Sequence, residues 1–73
     1  MKQRYEIVVR GRLTPEWAAV FDGMEVKPLS NGNTLIAGNL ADQADLYGLL
    51  MRLRDLGIPL ISVAQTGLGG QNG

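Results

Sequence analysis

Asp42 and Asp45 are the closest thing to a chemical constellation in this chain: two carboxylates one helical turn apart, the spacing at which a pair could hold a hard cation. Both also fall in the first turn of a predicted helix, where the macrodipole favours negative charge, and capping is the plainer assignment. Arg4, Arg10 and Arg12 share the outer face of a predicted strand and could meet phosphate or RNA. Sheets that read RNA, however, stack bases on aromatic rings, and the comparable outward positions here are Val8, Ala37 and Leu60. The glycines of Gly67-Leu68-Gly69-Gly70-Gln71-Asn72-Gly73 miss the dinucleotide spacing, because Asn72 stands at the last required position and no helix follows.

The residue types that are missing narrow the chemistry further. Histidine and cysteine are both absent, so imidazole acid–base catalysis, thiolate nucleophiles, disulfides and His/Cys metal sites are excluded. No catalytic, metal or cofactor-binding residue is assigned, and a non-enzymatic role is expected. Seven Lys+Arg balance seven Asp+Glu, leaving no global field to attract nucleic acid or an anionic membrane. Met1-Lys2-Gln3-Arg4 leads directly into a charged, alternating segment without a hydrophobic signal core, and the longest apolar runs are far short of a membrane span. A cytoplasmic location is the expectation.

These residues must be positioned by a small frame. Seventy-three residues with 45% apolar content suit one domain near the lower size limit for a stable core, expected over residues 1–65 with a flexible glycine-rich tail over 66–73. From Arg4 to Leu13 the sequence alternates, with Tyr5, Ile7, Val9 and Leu13 on one face and charges with Val8 on the other. Thr14-Pro15-Glu16 reads as a capped helix start, Trp17, Val20 and Phe21 as its apolar side, and Gly23 as its stop. Met24–Leu29 and Thr34–Ala37 read as a hairpin around Asn31-Gly32, in a two-residue type I′ turn.

The strongest element lies near the C-terminus. Leu46, Leu49, Leu50, Leu53 and Leu56 form a helical stripe, Asp42 or Asn39 can begin it, and Gly57 ends it. Ile58-Pro59-Leu60-Ile61-Ser62-Val63-Ala64 follows as a strand apolar on both faces, the pattern of a buried one. The order strand, short helix, strand, strand, helix, strand predicts an α+β, βαββαβ fold of the ferredoxin-like, split βαβ type. In it, two helices cover one face of a four-stranded antiparallel sheet.

The run Gly38-Asn39-Leu40-Ala41-Asp42-Gln43-Ala44-Asp45-Leu46-Tyr47-Gly48-Leu49-Leu50-Met51-Arg52-Leu53-Arg54-Asp55-Leu56-Gly57-Ile58-Pro59-Leu60-Ile61-Ser62-Val63 resembles the ends of a family of short, uncharacterised bacterial proteins. Their pattern is G-x-LADQA-x-L-x-GLL-x-R-[LI]-RDLG-[LI]-PL-[LI]-SV. Tyr5-Glu6-Ile7, Gly11-Arg12-Leu13, Glu16-Trp17 and Phe21 extend the likeness over roughly residues 4 to 64. The resemblance implies a compact bacterial module and no particular activity. Gln43 and Arg54 could border a pocket beside the leucine stripe, although a cap and solvated ion pairs account for them.

A two-layer fold would leave Val8, Ala37 and Leu60 or Ile61 as an apolar open sheet face, with Ala44, Tyr47 and Met51 as a second patch along the helix. The expected function is therefore a homodimeric interaction or regulatory module, its partner a second copy or a larger protein. Nucleic acid and membrane are not expected partners. The alternative is a small-ligand-binding domain with its site between sheet and helix or at a dimer seam.

Overall fold

The computed structural model describes residues 3–66. They form β1 (Gln3–Val9), a short 3-10 turn η1 (Pro15–Ala19), β2 (Glu25–Pro28), β3 (Thr34–Leu40), α1 (Gln43–Asp55) and β4 (Leu60–Thr66). The strands lie in the order β2-β3-β1-β4, each antiparallel to its neighbour. Of the tail expected over 66–73, Thr66 ends β4 and the remainder lies outside the described residues.

The two-helix, ferredoxin-like expectation is overturned, because only one α-helix forms among the described residues. Pro15 pins the start of η1, and Thr14, although extended, caps nothing with its side chain. Trp17 N–H donates to Thr14 O at 3.0 Å and Val20 N–H to Trp17 O at 2.9 Å, the tight spacing of a 3-10 turn. Asp22 and Gly23 then take left-handed backbone, at φ 58° and 79°, and end the segment before a second full turn can develop. Phe21 still reaches the core, stacked on Trp17 with ring centroids 6.1 Å apart.

Alternation along β1 does what the pattern predicts: Tyr5, Ile7 and Val9 are buried, with Leu13 packed beside them. The turn between β2 and β3 differs from the predicted type I′. Among Ser30, Asn31 and Gly32 only Gly32 has positive φ (88°), whereas type I′ needs two such residues. Gly32 N–H closes on Leu29 O at 3.1 Å and Leu29 N–H on Asn33 O at 2.9 Å, so the loop has three residues with glycine in the bulge position.

Helix α1 is delimited at both ends by its own side chains and backbone. Asp42 Oδ1 accepts from the Asp45 N–H at 3.0 Å, and Asp45 Oδ2 accepts from the Ala41 N–H at 3.3 Å, a reciprocal cap. At the other end Gly57, at φ 75°, lets its N–H reach Arg54 O and the Ile58 N–H reach Leu53 O, both at 3.0 Å, which completes a Schellman motif. Leu46, Leu49 and Leu53 face the sheet and join Phe21, Met24, Val26, Ile36 and Leu40 in one core.

A buried polar tie fixes the path out of β1. Thr34, fully buried at the start of β3, donates through Oγ1 to Gly11 O at 2.7 Å and accepts from the Leu13 N–H at 3.0 Å. Asn33 Oδ1 accepts from the Gly11 N–H at 3.3 Å. Replacing the hydroxyl by a methyl strands two backbone groups, each worth about 1 kcal/mol or more when left unpaired. Thr34→Val is therefore expected to cost about 2 kcal/mol and roughly 10 °C in Tm for a domain this small. Thr34→Ser, which keeps both bonds, should lose much less. Chemical and thermal unfolding of the three proteins checks this.

Candidate functional site

The cover over the sheet is lopsided. Arg52 Nη1 donates to Val20 O at 2.5 Å and lies 3.8 Å from Asp22 Oδ1, tying one flank of α1 to η1 on the β2 side of the sheet. On the opposite flank, Leu50 and Arg54 line the cleft at the beginning of β4, while Tyr47 and Met51 stand further round the helix, toward solvent. Tyr47 and Met51 are 56% and 53% exposed.

Strand β4 is the part of the chain least like its sequence expectation. The apolar run was expected to be a buried strand; it is instead an edge strand whose residues are exposed from Leu60 to Gln65. Leu60 and Ile61 are each 47% exposed and Val63 37%. The physical reason is that α1, the one full helix among the described residues, is tied toward the β2 side, which leaves β4 without a layer. Val63 pairs with Ile7 and Gln65 with Tyr5, so they lie on the helix side, while Ser62 and Ala64 pair with Val8 and Glu6 on the open side. The register slips between Val8↔Ser62 and Val9↔Leu60, leaving Ile61 as the extra residue of a bulge.

The two sheet edges are built differently. Strand β2 has four residues, two of them charged and one proline, the usual means of discouraging further pairing. Strand β4 has seven, none charged and none proline. Between the end of α1 and the start of β4 is an open cleft of about 390 Å³ lined by Leu50, Leu53, Gly57, Ile58, Pro59 and Leu60, with Arg54 contributing a cation. Arg54 Nη2 is 3.3 Å from Asp55 Oδ1, so that cation is locally balanced. Gln43, the other residue expected at a pocket border, is exposed at the start of α1 and takes no part in the cleft.

The remaining expected residues are placed as follows. On the open face, Val8 is half-buried and Ala37 only 1% exposed. Ala37 lies between Glu6 and Glu25, whose carboxylates pair with Arg4 at 3.6 Å and Lys27 at 3.4 Å, so this part of the sheet is an ion-pair lattice. Arg10 and Arg12 fall beyond the end of β1 and do not join Arg4 on a strand face. Asp42 and Asp45 are engaged with backbone N–H groups, and among the described residues no group of three or more His, Cys, Asp or Glu side chains could hold a metal. No helix in the same residues is long and apolar enough to cross a membrane. Sequence reasoning missed Thr34 and the bulge at Ile61; a threonine just after an Asn-Gly turn was the one available hint of the first.

Among the described residues, Glu16 is the side chain whose titration is displaced. The Thr14 hydroxyl, then the Glu16 backbone N–H, hold its exposed carboxyl below the ordinary glutamate range, against a small opposing effect of burial. A carboxyl held low in the folded chain favours folding above its unfolded pKa, and that contribution fades as pH falls through the folded value. Carbon-detected NMR titration should give Glu16 a midpoint below that of the unfolded chain, and Thr14→Val should raise it.

No curated protein and no solved structure is detectably similar to the chain. A family model described as a domain of unknown function (DUF8691) matches residues 4–64, nearly all of the folded segment. The chain belongs to that family, the domain of unknown function DUF8691.

Proposed function

We propose that this is a small bacterial, cytoplasmic, non-enzymatic interaction module that works as a homodimer, with its working surface at β4 and the adjoining flank of α1. One observation carries the reading: a seven-residue edge strand with no charge and no proline, exposed beside an uncovered apolar step. The bacterial source is what the sequence resemblance implies, and a cysteine-free composition is compatible with a reducing compartment. Compared with the sheet face expected from sequence, the proposal moves to the sheet edge, because Ala37 is covered and its surroundings are ion-paired.

Sedimentation equilibrium of the untagged protein at micromolar concentration should give the mass of two chains. Val63→Lys puts a charge on the open strand in both copies and should weaken association about 100-fold, or ~2.7 kcal/mol. A monomeric wild type overturns the homodimer, and one that also captures no partner protein overturns the interaction module with it.

The cleft supports a second reading, a small-ligand site between helix and sheet. Its lining calls for an aliphatic group, with Arg54 beside it for an anionic end. A ligand that binds only the folded chain raises its melting temperature, by about 2.7 kcal/mol of stabilisation at 100 times Kd. Thermal-shift screening with medium-chain carboxylates should show this, with loss of the shift in Leu50→Asp; no shift across the series removes the reading.

A further inference from the structure

Resting on the homodimer reading above, we infer that β4 pairs antiparallel with β4 of a second copy about a two-fold axis at Ser62, joining two four-stranded sheets into one of eight strands. The strand is unusually free of obstacles to meeting itself. Any charged residue on a self-pairing strand faces an identical charge nearby, and β4 has none. Glu25 and Lys27, with Pro28, stand on the other edge, which leaves β4 as the edge suited to a second copy.

The side chains select the axis. With Ser62 opposite Ser62 of the second copy, Ile61 meets the second copy's Val63 and Val63 its Ile61. Four β-branched side chains then gather where each chain lacks a covering layer. An axis at Val63 sets Ile61 against Gln65, and one at Ala64 sets Val63 against Gln65, each mismatching apolar with polar. On the open side, the Ser62 axis sets serine on serine and each Ala64 near the second copy's Leu60, so no charged side chain obstructs the joined sheet.

Area decides what else must take part. A stable interface buries about 800 Å² on each partner, spread over roughly 20–30 residues, so a seven-residue strand supplies only about a quarter to a third of it. The two-fold operation sets the Leu50 side of one helix toward the same side of the other, across the paired strands. The apolar walls of the two clefts, Leu50 and Ile58 beside Leu60 of each strand, thus add to the strand in one interface.

The cysteine-free chain makes the test direct. Residues related by an antiparallel two-fold axis have Cα atoms about 4.5 or 5.5 Å apart, both within disulfide reach. Ser62→Cys, oxidised with diamide at low micromolar concentration, should run almost entirely as a covalent dimer on a denaturing gel, while Lys27→Cys on the other edge should remain monomeric. Sedimentation of the reduced variants is run alongside. A dimer in which Ser62→Cys fails to cross-link overturns this pairing and leaves the homodimer standing. A monomer overturns both, and leaves the β4 edge to a strand from a different protein.

Discussion

One helix has to cover four strands, and it is too narrow to do so. An α-helix with its side chains is about 10–12 Å across, while four strands spaced about 4.8 Å apart span some 14 Å between the outer backbones alone. Here α1 is drawn to the β2 side by Arg52 and its bonds to the η1 region, and η1 itself fills the space over β2 with Phe21. The deficit therefore falls wholly on β4. The apolar flank of α1, the cleft at its C-terminal end and the exposure of Leu60, Ile61 and Val63 are local expressions of that one geometric shortfall.

Much of the frame was legible because it rests on short-range physics. Period-two alternation placed Tyr5, Ile7 and Val9 in the core, and the leucine spacing placed Leu46, Leu49 and Leu53 there. Asp42 and Gly57 bounded the helix for reasons contained within a few residues of each. What escaped depended on distant matters. Trp17, Val20 and Phe21 share a helical side whether the segment is α or 3-10, so the pattern could not reveal that only one turn would form. An apolar strand reads as buried whether the layer above it comes from the same chain or is missing, and the exposure of β4 followed from that ambiguity. Ala37 was placed outward correctly by alternation, yet the long side chains of its charged neighbours close over it, and no periodicity describes that.

The tie at Thr34 shows how such a small molecule keeps its connections in place without disulfides. A single hydroxyl, used as donor and acceptor at once, stitches the Gly11–Leu13 segment to the first residue of β3, and Asn33 adds a third bond from the adjoining turn. Because Thr34 is also the cross-strand partner of Val9, the same residue registers the central strand pair and directs the chain toward η1. Position in the sheet and the route out of it are thereby set together.

The four-residue strand β2 has a consequence for how far assembly can go. A sheet that is receptive at both margins is a monomer unit for polymerisation, since each addition regenerates a site like the one consumed. This sheet is receptive at one margin and blocked at the other by Glu25, Lys27 and Pro28. Joining at the receptive margin leaves only blocked ones outside, so growth terminates with the first encounter. The residues of β2, far from any contact, are what would make the product of self-association a closed pair instead of a fibre.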